Sequence, residues 1–337
     1  MIQVLVVLLA QALGIALLSS SAQAQSNLFY KNKTVTIVVG FSAGGGYDAY
    51  DRALARHLSK HIPGTPTVIV QNMPGAGSLT AVRALDLTLP KDGTVMVTFN
   101  PGLITQSMVQ PDKVGLNFRD FSWIGILTPD FRVCSGFGPD GVKNWDELMQ
   151  RKQFVLGTTA KGDGAYINGA MLRDIFGAPV KEILGFPGSA EQRIAIERGE
   201  LDGDCGTFSS IPAEWLRDNK AHPFVRFTKE RLPEMPESAL FINDLAKTRE
   251  QTDLLNFLDA ENEIGRVVIM SRQVEADRIA IIRRAFNETM KDSDFVDDMK
   301  TQRLPVNPMS GDEAEQIIVG ITNASPQIIE EARKIFD

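Results

Sequence analysis

Three times between residues 34 and 102, a short run rich in β-branched residues gives way to a glycine-rich turn. Thr34–Val39 (TVTIVV) runs into Phe41-Ser42-Ala43-Gly44-Gly45-Gly46, Thr67–Val70 into Pro74-Gly75-Ala76-Gly77, and Val95–Phe99 into Asn100-Pro101-Gly102. Turn-bounded runs this apolar are strands buried on both faces, as in parallel sheets. After the first turn, Tyr50, Leu54, Leu58 and Ile62 recur every four residues and make one helical stripe. After the second, Ser78–Leu85 is the expected helix with Ser78 as its N-cap. Strands alternating with helices imply an α/β chain whose sheets carry helices on both faces.

The pattern restarts beyond Phe121–Leu127. Phe154–Gly157 is a strand, Thr158–Gly164 a loop of small residues, and Ala165–Phe176 a helix. Val180–Leu184 leads into Phe186-Pro187-Gly188-Ser189 and another helix, while Leu201–Cys205 and Phe224–Phe227 are further strands. The last third reads as mostly helical, most clearly over Glu275–Lys291 and Gly311–Ile335. Ligands of parallel sheets collect at the carboxyl ends of the strands, where these glycine loops fall.

Composition excludes several classes. With 35 Lys+Arg against 42 Asp+Glu, the net charge of −7 offers no basic field to nucleic acid. Two Cys and three His leave too few ligands for a thiolate cluster or a multi-histidine metal centre, and no cofactor is expected. Residues 1–24 hold no charge, and an apolar run over Val4–Leu18 precedes Ala22-Gln23-Ala24. That is the pattern of a cleaved export signal, followed by a soluble periplasmic protein, expected as a monomer.

Gly40-Phe41-Ser42-Ala43-Gly44 matches the strand–turn–helix nucleophile elbow, and Asp204 and His222 follow in hydrolase order. Against it, no earlier strand builds the usual sheet, and no upstream loop supplies an oxyanion hole. Gly75-Ala76-Gly77-Ser78-Leu79-Thr80 lacks the third glycine of a dinucleotide fingerprint. His57 and His61 lack the glutamate of a zinc-protease helix and read as solvated; Asp202 and Asp204 share one face of a strand with no second carboxylate opposite, and Asp202 reads as structural. The common feature of the loops is more informative. Each sets free backbone N–H groups and a helix N-terminus at a strand end, which suits a carboxylate or phosphate without a lysine.

The stretches VTIVVGFSAGGGYDAYDRALARHL, VIVQNMPGAGS and LPKDGTVM, in this order, resemble the amino-terminal signature of the extracytoplasmic receptors of tripartite tricarboxylate transporters, the TctC/Bug type. FVLGTTAKGDGAY, LGFPGSAEQRIAIERGELD and FTKERLPEMPE continue the resemblance at family spacing. It implies a type II periplasmic binding protein: two α/β domains with a ligand cleft between them. Domain 1 would be 26–127 plus 228–337, and domain 2 would be 128–227. The ligand would be a small organic acid, handed to the large and small membrane subunits of a permease. From the first loop, Phe41, Ser42, Gly44, Gly45, Gly46 and Asp48 would meet it, and from the second Asn72, Pro74, Gly75, Ala76 and Gly77. Across the cleft the resemblance implies Thr158, Gly162, Asp163, Phe186 and Gly188.

The chain departs from the family pattern at Tyr47, Ser78, Asp163 and Cys205-Gly206. Cys134 and Cys205 are expected on neighbouring strands of domain 2, either bridged or as buried thiols. The resulting expectation is a solute receptor and not an enzyme. A hydrolase using Ser42 and a sensory co-receptor of the same fold are the alternatives.

Overall fold

The computed structural model describes residues 29–336; the segment 1–24, read above as an export signal, lies outside them. Twelve strands form two six-stranded sheets. The first contains β1 (Thr34–Val39), β2 (Thr67–Asn72), β3 (Val95–Phe99), β4 (Phe121–Ile126), β11 (Val267–Ser271) and β12 (Met309–Ser310), in the order β12-β4-β11-β3-β1-β2. The second contains β5 (Val133–Phe137), β6 (Phe154–Gly157), β7 (Val180–Ile183), β8 (Gly203–Asp204), β9 (Ala221–Arg226) and β10 (Leu240–Phe241), in the order β10-β9-β5-β8-β6-β7.

β1 pairs in parallel with β2 and β3, and β6 in parallel with β7 and β8. β11 enters the first sheet antiparallel between β3 and β4, and β5 enters the second antiparallel between β8 and β9. Every residue of β3 and β11 is buried, as two-sided covering requires. On one face of the first sheet, Tyr50, Leu54 and Leu58 of the helix Gly46–Leu58 pack with Ile37, Met96 and Phe286. On the other, Val38, Phe99 and Trp123 pack with Ile269 and Ile318. Truncating Leu54 to alanine would cost about 2–5 kcal/mol through the cavity left behind.

The chain leaves the first sheet through Thr128–Arg132 and returns through Gly265-Arg266. The two crossings are hydrogen-bonded to each other: Arg266 N–H donates to Thr128 O (2.9 Å) and Leu127 N–H to Arg266 O (2.8 Å). Gly265 is needed here, since its φ is +47° and a Cβ would strike the Thr128 carbonyl. Residues 228–337 supply strands to both sheets, and Ala332, Ile335 and Phe336 of the last helix pack into the core of the second.

Several local readings change. Gly311–Ile335 is two helices, Gly311–Thr322 and Pro326–Phe336, because Pro326 has no N–H to continue the first. The strand expected over Phe224–Phe227 starts at Ala221 and carries Pro223 within it. β11, amid the helical last third, is a core strand of the first sheet. Ser78 does not cap its helix: at φ +74° its hydroxyl donates to Gly77 O and accepts from Asn100 N–H. His57 and His61 are partly buried and bond Asp298 (2.9 Å) and Asp292 (2.7 Å). A disulfide joins Cys134 on β5 to Cys205 at the end of β8.

Candidate functional site

The loops at the carboxyl ends of the two sheets face each other and touch. Ser42 N–H donates to Pro187 O (3.2 Å), the Ser42 hydroxyl to Glu191 (2.7 Å), and Arg193 Nη2 to Gly44 O (2.7 Å). Asn100 Nδ2 reaches Asp163 Oδ1 (2.8 Å). Between these contacts lies a cavity of about 60 Å³. The loops of the first sheet contribute Phe41, Gly45, Gly46, Tyr47 and Asn100; the two crossings contribute Arg132 and, where the chain re-enters the first sheet, Arg266. The opposite wall includes Thr159, Asp163, Ala165, Gly188, Ser189, Asp204, Gly206, Thr207 and Ser210.

On the first wall, the helix Gly46–Leu58 begins without any side-chain cap, and Gly45, Gly46 and Tyr47 turn its positive end to the cavity. Asp48 and Asn72 build the loop instead of lining the cavity. Asp48 accepts from Gly44 N–H, Arg52 Nε and Asn72 Nδ2, each at 2.9 Å, and Asn72 also donates to Phe41 O (3.0 Å). Burial pushes the Asp48 carboxyl up, but these bonds outweigh it and hold it below its ordinary value.

The Tyr47 ring stacks on Phe41 at 4.7 Å, and the Arg266 guanidinium lies 3.9 Å from the Tyr47 ring centre. Burial raises the Tyr47 hydroxyl well above its usual range, and that hydroxyl has no partner. The Arg266 side chain is only 3% exposed, its Nη2 stands 3.9 Å from Asp130, and its Nη1 bonds nothing. Arg132 is equally buried but better paired, with Nε 3.0 Å from Asp130 and Nη2 3.3 Å from Asn100 Oδ1. Burial disfavours the charge on Asp130, yet the two arginines hold its carboxyl below the ordinary range.

On the facing wall, Asp163 is fully occupied. It accepts from Thr159 N–H (2.9 Å), Thr159 Oγ1 (2.8 Å), Ala165 N–H (3.2 Å) and Asn100. Asp204 is not: its Oδ1 is shielded from solvent and unpartnered. Burial pushes Asp204 up to about 7, with Asp163 adding to the rise and Arg132 and Arg193 opposing it.

Of the residues expected from the sequence, Phe41, Gly45, Gly46, Asp163 and Gly188 meet at this cavity. Pro74, Gly75, Ala76 and Gly77 instead line a neighbouring cavity of about 250 Å³ with Phe186 and Thr159; Phe41 borders both. Ser42 and Gly44 are engaged in the cross-cleft bonds given above. Thr158 is buried, and its neighbour Thr159 faces the cavity; Gly162 packs on Gln106 and Leu103. Sequence reasoning missed Asn100, Arg132 and Arg266, weighed Asp204 only as an acid–base or triad candidate, and noted Tyr47 only as a departure. A lone arginine before a strand carries no motif, so no local signal marks Arg132 or Arg266. The hydrolase pairing does not form, since Ser42 bonds Glu191 and His222 bonds the Gly138 carbonyl (2.9 Å). Among the described residues, no group of three or more His, Cys, Asp or Glu could hold a metal ion.

Two α/β lobes joined by paired crossings, with their loop ends meeting over a cavity, define the architecture of periplasmic binding proteins. The periplasmic binding protein BugD superposes with a TM-score of 0.75 at 18% identity, covering 91% of this chain and 98% of BugD. MatC from Rhodopseudomonas palustris, solved with bound malate, gives 0.69 at 16% identity over 90% of this chain and 99% of its own. In sequence, a UPF0065 protein from the TAR-I ttuE-ttuC' intergenic region of Agrobacterium vitis is 25% identical over 221 residues, 64% of this chain. The chain spans 62% of that relative's length. No model of a known protein family matches the chain.

Proposed function

We propose that the chain is a periplasmic solute receptor that captures a small organic carboxylate between its two lobes and delivers it to a tripartite tricarboxylate-type permease. The observation that carries this reading is Arg266. A guanidinium 3% exposed, with one unpartnered nitrogen, stands beside an uncapped helix N-terminus on the same cavity wall. Burying such donors unpaired is costly, and a carboxylate oxygen satisfies both. The malate held by MatC accords with this ligand class. The reading includes no catalysis: Ser42, the one nucleophile set on a glycine elbow, has a carboxylate and not a histidine as partner.

A thermal-shift screen of short mono- and dicarboxylic acids tests it. A bound acid at 100 times Kd should stabilise the protein by about 2.7 kcal/mol. Arg266→Lys, which keeps the charge but not the fork, should weaken the best ligand at least tenfold while leaving the fold intact. Silence across the screen, or unchanged affinity in the variant, would sink the reading.

A further inference from the structure

We infer that the ligand of this cavity is zwitterionic, a small amino-carboxylate whose ammonium group is received by Asp204. This rests on the carboxylate reading above and adds the other end of the molecule. The four charged side chains lining the cavity are Arg132, Arg266, Asp163 and Asp204, two of each sign. Asp130, buried behind the wall, opposes both arginines as well, so the surroundings hold no excess positive charge for a net-negative ligand, whereas a zwitterion leaves the balance unchanged. The charges are also sorted by position. Arg266 and the uncapped helix N-terminus sit on the first wall, and Asp163 and Asp204 on the second. Arg132 is bound to Asp130 and Asn100, and Asp163 has its oxygens filled by four donors, so neither is free to pair with a ligand. Among the charged side chains lining the cavity, what remains open is one buried nitrogen of Arg266 and one buried oxygen of Asp204, with the neutral Tyr47 hydroxyl unpartnered beside them. That is a donor facing an acceptor.

An ammonium suits Asp204 better than a hydroxyl does. A carboxylate taken out of water needs a counter-charge as well as a hydrogen bond. The charged groups acting on Asp204 are Asp163, Arg132 and Arg193, and in their presence its carboxyl stands at about 7 without ligand. A bound ammonium would hold it ionised. Affinity for an amino-carboxylate should therefore fall as pH drops from 8 to 6, because Asp204 takes up a proton that binding must expel. A plain carboxylate should show the opposite trend, since a protonated Asp204 repels it less.

The experiment is calorimetry on the mature protein with two matched series: L-alanine, L-lactate and propionate, then L-aspartate, L-malate and succinate. The amine of at least one series should bind about 100-fold more tightly than its hydroxy and unsubstituted partners, and Asp204→Asn should erase that margin and its pH dependence. Should the variant fail to fold, the wild-type series decides alone. Equal or tighter binding of the hydroxy or unsubstituted acids overturns the zwitterion while leaving the carboxylate reading in place. If no acid of either series binds, both readings fall.

Discussion

The two sheets begin with the same βα unit and finish it differently. β1 and β6 occupy equivalent central places, each flanked by two parallel neighbours, and each runs into a glycine-containing loop and a helix. In the second sheet the helix Gly164–Ala170 is sealed by its own Asp163, whose side chain accepts from Ala165 N–H. In the first, Gly45 stands at that position and the helix end is left open. One lobe thus satisfies its backbone internally, and the other keeps an unfilled demand for negative charge. A shared topology fixes where the two loops meet; one side chain decides which of them still needs an anion.

That contrast can be broken at several points. The two strands next to β6 and β9 are tied by the Cys134–Cys205 disulfide, which spans 71 residues, while the equivalent pair β3 and β11 has only backbone bonds and apolar packing. Replacing both cysteines with alanine should lower unfolding stability by about 4 kcal/mol, read as a shift in the urea midpoint. Gly45→Asp would give the first lobe the cap that the second already has. Its carboxylate should take the place of the ligand's and weaken carboxylate binding about 100-fold in calorimetry, with little loss of melting temperature. The converse change, Asp163→Ala, opens the second helix and removes the Asn100 contact across the cleft; it should cost about 2 kcal/mol in denaturant titration.

The shallowest effect is a pH slope. Asp51 of the first helix is buried against Thr98 Oγ1 (2.5 Å), whereas the buried polar side chain within the second helix is the neutral Asn168, bonded to Cys205 O (2.7 Å). Burial pushes Asp51 up to about 7, although the Thr98 bond and Arg266 pull the other way. Between its ordinary value near 4 and 7, the folded chain keeps a proton that the unfolded chain has released. Stability therefore falls as pH rises through that window, by at most about 1.4 kcal/mol per pH unit for one group. Asp51→Asn should remove its share of the slope in melts at pH 4.5, 6 and 7.5, leaving the shares of Asp204 and Glu261, whose carboxyls burial also raises. An identical slope in the variant would remove Asp51 as its source.

Much of the sheet framework was legible because its signal is local. Thr34–Val39, Val95–Phe99 and Phe154–Gly157 fall where β-branched content and turns put them. The end of β9 was legible but its start was not, since Pro223 hides a strand that admits it only through a register shift opposite Cys134/Ser135. β11 was missed because its partners lie far away in sequence, at β3 and β4. The candidate site was half legible for the same reason. Glycine loops announce a bend, but Arg132, Arg266 and Asp204 reach the cavity only through the pairing of crossings and strands. Asp163 shows the reverse error. Its charge stood out in the sequence, yet the fold spends that charge on its own loop.

Arg132 and Arg266 lie on the two hydrogen-bonded segments through which the chain passes between lobes, a third passage at 323–325 carrying the last helix to the second core. Rotating one lobe against the other carries the loop tips through large arcs but barely shifts the atoms at the pivot. If the lobes rotate about these segments, both guanidinium groups would keep nearly the same positions, whereas Ser189 and Asp204 would travel with the second lobe. For the proposed receptor, arrival and departure of a solute would then be governed by different ends of the cavity. The stationary end would set how readily an anion is first caught, and the travelling end how long it stays.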